Sequence, residues 1–160
     1  MNVSREKIAL ALFAQLQSMV GSGEQPNGKP QFPYQTFQRA PLMWSKVNAA
    51  DMPAAFLFKP LENVSSKDVY GAKEYVLQYI LLVYIKADPS HEIIETTMNQ
   101  ALDAIDGALD IDGEPQTLAA QNGNVPLVNN AYSNGVVDFG LDALTNQCWF
   151  AIRVLVETGS

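Results

Sequence analysis

At 160 residues, 48% of them hydrophobic, the chain has the length of one domain and enough apolar material for a core without staples. Ten basic against seventeen acidic residues argue against a surface that holds nucleic acid by neutralising phosphates. One cysteine, Cys148, excludes an internal disulfide framework, and one histidine, His91, leaves no Cys/His metal cluster to assemble, so a reducing compartment is expected.

The N-terminus MNVSREKIALALFAQLQ interleaves charges with apolar residues, as an amphipathic helix does and a secretion signal does not. The expectation is a protein made and kept in cytoplasm. Ser4 is placed to cap a helix reaching Val20, with Ile8, Leu12, Leu16 and Met19 or Val20 as its core stripe, and Gly21 and Gly23 stop it. Charges of both signs at its start favour core packing over a membrane face. From Gly21 to Tyr34, three glycines and three prolines in fourteen residues predict an exposed loop outside the core. Such a long loop either reaches a neighbour or is simply flexible.

Thr36–Ala40 and Met43–Val47 read as short extended pieces separated by Pro41. Arg39 and Trp44 flank the turn as candidate interface anchors, burial in the core being the competing reading for the tryptophan. Ala54–Lys59 predicts a strand with Phe56 and Phe58 on one face and Ala55, Leu57 and Lys59 on the other, ended by Pro60. The polar stretch Leu61–Glu74 then joins it to the next strand as a wide antiparallel hairpin whose arms can outrun the domain.

That next strand, Tyr75–Ala87, is the longest run of strand-forming residues. Its parity puts Tyr75, Leu77, Tyr79, Leu81, Val83 and Ile85 on one face and Val76, Gln78, Ile80, Leu82, Tyr84 and Lys86 on the other. Thirteen residues including Gln78 and Lys86 are too short for a helical membrane span. Both faces are mostly apolar, which predicts a central strand, yet the chain offers few helices as cover; one face is therefore expected to meet another subunit.

Asp88, Pro89 and Ser90 open a second helix with a core stripe of Ile94, Met98, Ala101 or Leu102, Ile105 and Leu109. His91 falls in its first turn, exposed by position and without a catalytic constellation around it. The acids Asp106, Asp110, Asp112 and Glu114 around Gly113 look superficially like a cation loop but depart from the EF-hand spacing, so a helix end with a turn at Asp112 and Gly113 is expected. After a loop from Gln116 to Val125, Leu127–Tyr132 and Gly135–Leu141 predict a hairpin turning at Ser133 and Asn134. Gln147–Glu157 closes the chain as a strand, with Cys148, Phe150, Ile152, Val154 and Val156 facing the core. Gln147, Trp149, Ala151, Arg153, Leu155 and Glu157 line its other face, a mixed surface suited to a partner.

No repeat, phosphate loop or nucleophile elbow occurs, so no catalytic, cofactor or metal site is expected. The element order predicts one α+β domain over 1–160, two-layered, with a mainly antiparallel or mixed sheet and the two main helices packed on one face. Self-association explains the other face most economically, with Arg39, Trp44, Tyr79, Tyr84, Trp149 and Arg153 as candidate interface residues.

In this layout the chain resembles the tail terminator (tail completion) family of long-tailed bacteriophages. The matching features are the leading helix Ser4–Val20, FQRAPLMWSKV, the AAFLFK strand after Pro53, the strand Tyr75–Ala87 running into DPSHEII, the ALDAIDGALD helix end and the closing QCWFAIRVLVE. The resemblance is one of pattern and spans nearly the whole chain. It implies a virion subunit that forms a hexameric ring on the last ring of the tail tube, stops tube polymerisation and presents a surface to the head-completion or neck protein. DNA would only pass through the channel, and no membrane or cofactor is implied. Two other readings stay open: a neck or head-to-tail joining protein, and a small ligand-binding α+β domain with its pocket on the open sheet face around Tyr79, Tyr84 and Trp149.

Overall fold

The expected central strand is β3, Lys73–Lys86, in a computed structural model that describes residues 3–43, 46–66, 73–86, 94–142 and 147–159. Helix α1 (Arg5–Leu16) precedes β1 (Thr36–Gln38) and β2 (Ala54–Ser66); α2 (Ile94–Leu109), β4 (Asn130–Asp142) and β5 (Gln147–Gly159) follow β3. The five strands form one sheet in the order β1-β2-β3-β5-β4. β1 lies parallel to β2 and every other pair is antiparallel, so the sheet is mixed and the domain α+β.

Parity decides which side of the sheet is core. Leu77, Tyr79, Leu81, Val83 and Ile85 of β3 face the helices, as do Val156, Val154, Ile152, Phe150 and Cys148 of β5 and Ala55 and Leu57 of β2. Against them α1 presents Ile8, Leu12 and Leu16 at four-residue intervals, and α2 presents Ala101, Ala104, Ile105 and Ala108. The small alanine side chains let α2 approach the sheet closely. Each large side chain buried here contributes roughly 1.5–3 kcal/mol from its removal from water. Ser4 caps α1 as expected, its Oγ accepting the Lys7 N–H at 3.1 Å, and phenylalanines 13 and 37 stack at 4.5 Å to tie β1 to the helix.

Four expectations need correction. The loop after α1 enters the core: Phe32, Tyr34 and Gln25 are buried. Its glycines and prolines fold it back on itself, and Gln25 Nε2 donates to both Pro30 O and Ala104 O at 2.9 Å, which fastens it to α2. Met43–Val47 is not extended where it is described: the Lys46 N–H donates to Met43 O at 2.7 Å. Pro60 does not end β2. The strand passes it with an irregularity between Phe58 and Leu61, where β1 no longer pairs alongside and the missing N–H leaves no ladder bond broken on that edge.

Finally, Ser133 and Asn134 do not turn a hairpin. β4 runs straight through them and pairs with β5 on both sides, the mismatch being absorbed by two irregularities between Ser133 and Asp138 and by Gly135 at φ 81°. The caps proposed at Asp88 and Ser90, like His91, lie outside the described residues. No helix among the described residues is long and apolar enough to cross a membrane.

Candidate assembly surface

The second side of the sheet is built from the alternate residues. Val76, Gln78, Ile80 and Leu82 of β3 are half-buried there, beside Leu155 and Arg153 of β5 and Phe58 of β2. Among the described residues one end is covered: Val47, Met52, Ala54, Phe56 and Tyr84 form a small second cluster, with Leu82 and Trp149 packed on it. Tyr84 fixes that end, donating its hydroxyl to Leu42 O at 2.9 Å and meeting the Phe56 ring edge-on at 5.8 Å. Beyond it Val76, Ile80, Phe58 and Leu155 belong to neither cluster.

This face therefore gathers three of the residues singled out from sequence, Tyr84, Trp149 and Arg153, which sit on adjacent strands (Tyr84 opposite Trp149, Ile80 opposite Arg153). Tyr79 does not join them. It is 3% exposed on the helix side, because an odd position in β3 points away from an even one, so Tyr79, Tyr84 and Trp149 cannot surround one pocket. Trp44 lies outside the described residues.

Tyr79 meets Arg39 instead. Both line a hollow of about 390 Å³ between the first turns of α1 and the middle of β2, with Arg5, Glu6 and Lys59. Arg39 grips Glu6 through Nη1–Oε1 at 2.5 Å and Nη2–Oε2 at 3.2 Å. Arg5 Nε reaches both oxygens of Glu62 at 2.6 and 2.8 Å, and Lys59 Nζ donates to the same carboxylate at 2.9 Å. Three cations thus share two carboxylates. The hydrogen bond from Arg39 holds Glu6 below the usual carboxylate range. Burial opposes ionisation of Glu62, but hydrogen bonds from Lys59 and Arg5 prevail and lower it. Burial pushes the Tyr79 phenol up to about 12, with the Arg39 charge opposing.

On the far edge of the sheet, α2 and the start of β4 enclose a larger groove of about 820 Å³. Its lining carries Asp103, Asp106, Asp110 and Glu114 against one cation, Lys29. Burial and the neighbouring Asp103 raise the Asp106 carboxyl, while a hydrogen bond from Ser133 opposes the shift. Gln116 forms part of the wall, donating to Leu109 O at 3.3 Å and accepting the Leu118 N–H at 3.0 Å.

The helix end expected from sequence is present: Asp112 and Gly113 both have positive φ, 54° and 79°, and the Glu114 N–H closes the turn on Ile111 O at 2.9 Å. Sequence reasoning weighed these acids as a cation loop and missed the groove. The available signal was the spacing of Asp103, Asp106 and Asp110, which puts two carboxylates on one side of α2 and a third just past its end. Among the described residues no group of three or more His, Cys, Asp or Glu side chains is arranged to hold a metal ion. In comparisons with known proteins, no family model matches this chain, and no curated protein matches it either.

Proposed function

We propose that the protein is a structural subunit of a phage tail, a tail terminator that caps the tail tube as a ring, ends tube polymerisation and forms the head-joining surface. The observation that carries this reading is the unequal cover of the two sides of the sheet. Among the described residues, one side is covered by α1 and α2, whereas half-buried Phe58, Val76, Ile80 and Leu155 on the other belong to neither core cluster. A monomer normally keeps contiguous exposed apolar patches small, and a subunit of an assembly buries them against its neighbour. The pattern resemblance to tail terminators supplies the kind of assembly, a ring of six in that family. The net charge of −7 suits a ring through which DNA slides, since a basic lumen would retain it.

On this reading the partners are further copies of the chain, the tail tube protein and a head-completion or neck protein, and the location is the head-proximal end of the virion tail after assembly in host cytoplasm. The test is to add the purified protein to polymerising tail tube protein and to record tube lengths and ends by electron microscopy. Capping predicts shorter tubes carrying a ring at one end, in proportion to the protein added. Unchanged lengths with bare ends overturn the reading, and attachment to filled heads but not to tubes transfers it to a neck protein.

A further inference from the structure

The basic hollow and the acidic groove lie on opposite edges of the sheet, yet at one level along its strands. Tyr79, which lines the hollow, pairs with Val154 of β5, and Val154 pairs in turn with Ser133 of β4, which lines the groove. A single line across the strands therefore runs from one to the other. Both open on the helix side, walled by α1 at one edge and by α2 at the other. The strand edges beside them are free of further strands among the described residues: β1 pairs only with Ala54–Phe56 of β2, and β4 pairs only with β5.

We propose that these edges are the two halves of a subunit contact additional to the one on the open face, the α1–β2 edge of one copy docking into the α2–β4 groove of the next. The proposal rests on the ring reading above and names its two patches and its occupant, a second copy of this chain. Charge supplies the complementarity. The groove brings four carboxylates against one lysine, whereas the hollow holds three cations on two carboxylates, a local positive excess in a chain of net charge −7. The Arg5 side chain is about half exposed and ion pairs at such positions are individually weak, so Arg5 can turn toward a neighbour's carboxylate at little cost while the part-buried Lys59 keeps Glu62 paired.

A head-to-tail contact needs two unlike patches and generates either a closed ring or an open helix. Patches offset along the strands would add a rise at every step and build a helix. Tyr79 and Ser133 are level within the sheet, an arrangement compatible with a contact that repeats without a rise along the strands, as a closed ring requires.

Charge exchange tests this contact by sedimentation velocity on the full chain. Asp103→Lys with Glu114→Lys makes both edges positive; Arg5→Glu with Lys59→Glu makes both negative. Each double variant alone is expected to need at least ~10-fold more protein than wild type to assemble. An equimolar mixture, in which every contact is again between opposite charges, is expected to regain the wild-type assembly size. Should either reversal lower thermal stability, the neutral pairs Asp103→Asn/Glu114→Gln and Arg5→Gln/Lys59→Gln carry the same prediction of weakened assembly. A wild-type protein that assembles, with variants that assemble equally well or a mixture of folded variants that stays dissociated, overturns this contact and leaves the ring reading standing. A wild-type protein that remains monomeric at every concentration and with tube protein present overturns both.

Discussion

The indole of Trp149 lies against Gly140, its partner across the β4–β5 ladder, so closely that a Cβ at position 140 would fall inside the contact distance of the indole ring. Glycine is required there by space, since its backbone is not in the left-handed region. Trp149 in turn packs on the small cluster around Phe56 and Tyr84 that covers one end of the open sheet face.

Gly140→Ala should therefore displace the indole and loosen that cluster, at a cost of about 1–3 kcal/mol in urea unfolding. With Trp44 replaced by phenylalanine, Trp149 is the sole tryptophan, and its emission should shift to longer wavelength in the Gly140→Ala protein. An unshifted spectrum with unchanged stability contradicts this packing.

Gly107 offers a test in which local propensity and tertiary contact disagree. Glycine to alanine inside a helix ordinarily stabilises by up to ~1 kcal/mol. Here the added Cβ would stand 2.6 Å from Lys29 Cβ and 3.0 Å from Gln25 Nε2, against the loop that Gln25 fastens to α2. Gly107→Ala is expected to destabilise by about 1–3 kcal/mol and to speed hydrogen exchange of the Gln25 amide, which bonds to Lys29 O inside the loop. A more stable variant would show that the loop does not pack on this side of α2.

Asp106 makes a prediction about pH. Burial and Asp103 raise its folded pKa above the ordinary carboxyl value, so the folded chain holds that proton more tightly than the unfolded chain. The group favours the fold in acid and opposes it once pH has risen through the folded pKa. Asp106→Asn should raise the melting temperature at pH 7, with the Asn oxygen still able to accept from Ser133. The gain should shrink as pH falls toward the ordinary carboxyl range. A gain that persists undiminished in acid would trace the effect to something other than ionisation.

Where side-chain alternation or helical spacing dominates, the sequence was legible. The two faces of β3 and β5 follow from parity alone, and Ile8, Leu12 and Leu16 announce the buried stripe of α1. What misled was punctuation. Pro60 and the pair Ser133–Asn134 read as breaks, but each sits in a strand whose neighbour is long enough to continue pairing beyond it, so the chain takes an irregularity in place of an end or a turn. The loop from Gly21 to Tyr34 looked wholly solvated because its composition is that of turns; its burial depends on Gln25 and Asn27 finding the carbonyls of Ala104 and Gly107, about eighty residues away. Of the candidate interface residues, Tyr84, Trp149 and Arg153 share the second side of the sheet, Tyr84 buried under its covered end, while Arg39 and Tyr79 share the basic hollow, an adjacency that no local pattern encodes.

The central claim is that this sheet completes itself only in an assembly, and the mass of the particle in solution tests it most directly. Light scattering coupled to size-exclusion chromatography, run over a hundredfold range of concentration with and without tail tube protein, is predicted to find a discrete ring-sized species that Leu155→Lys on the open face removes while the chain stays folded. A particle with the 17.5 kDa mass of the single chain under every one of these conditions would contradict the account.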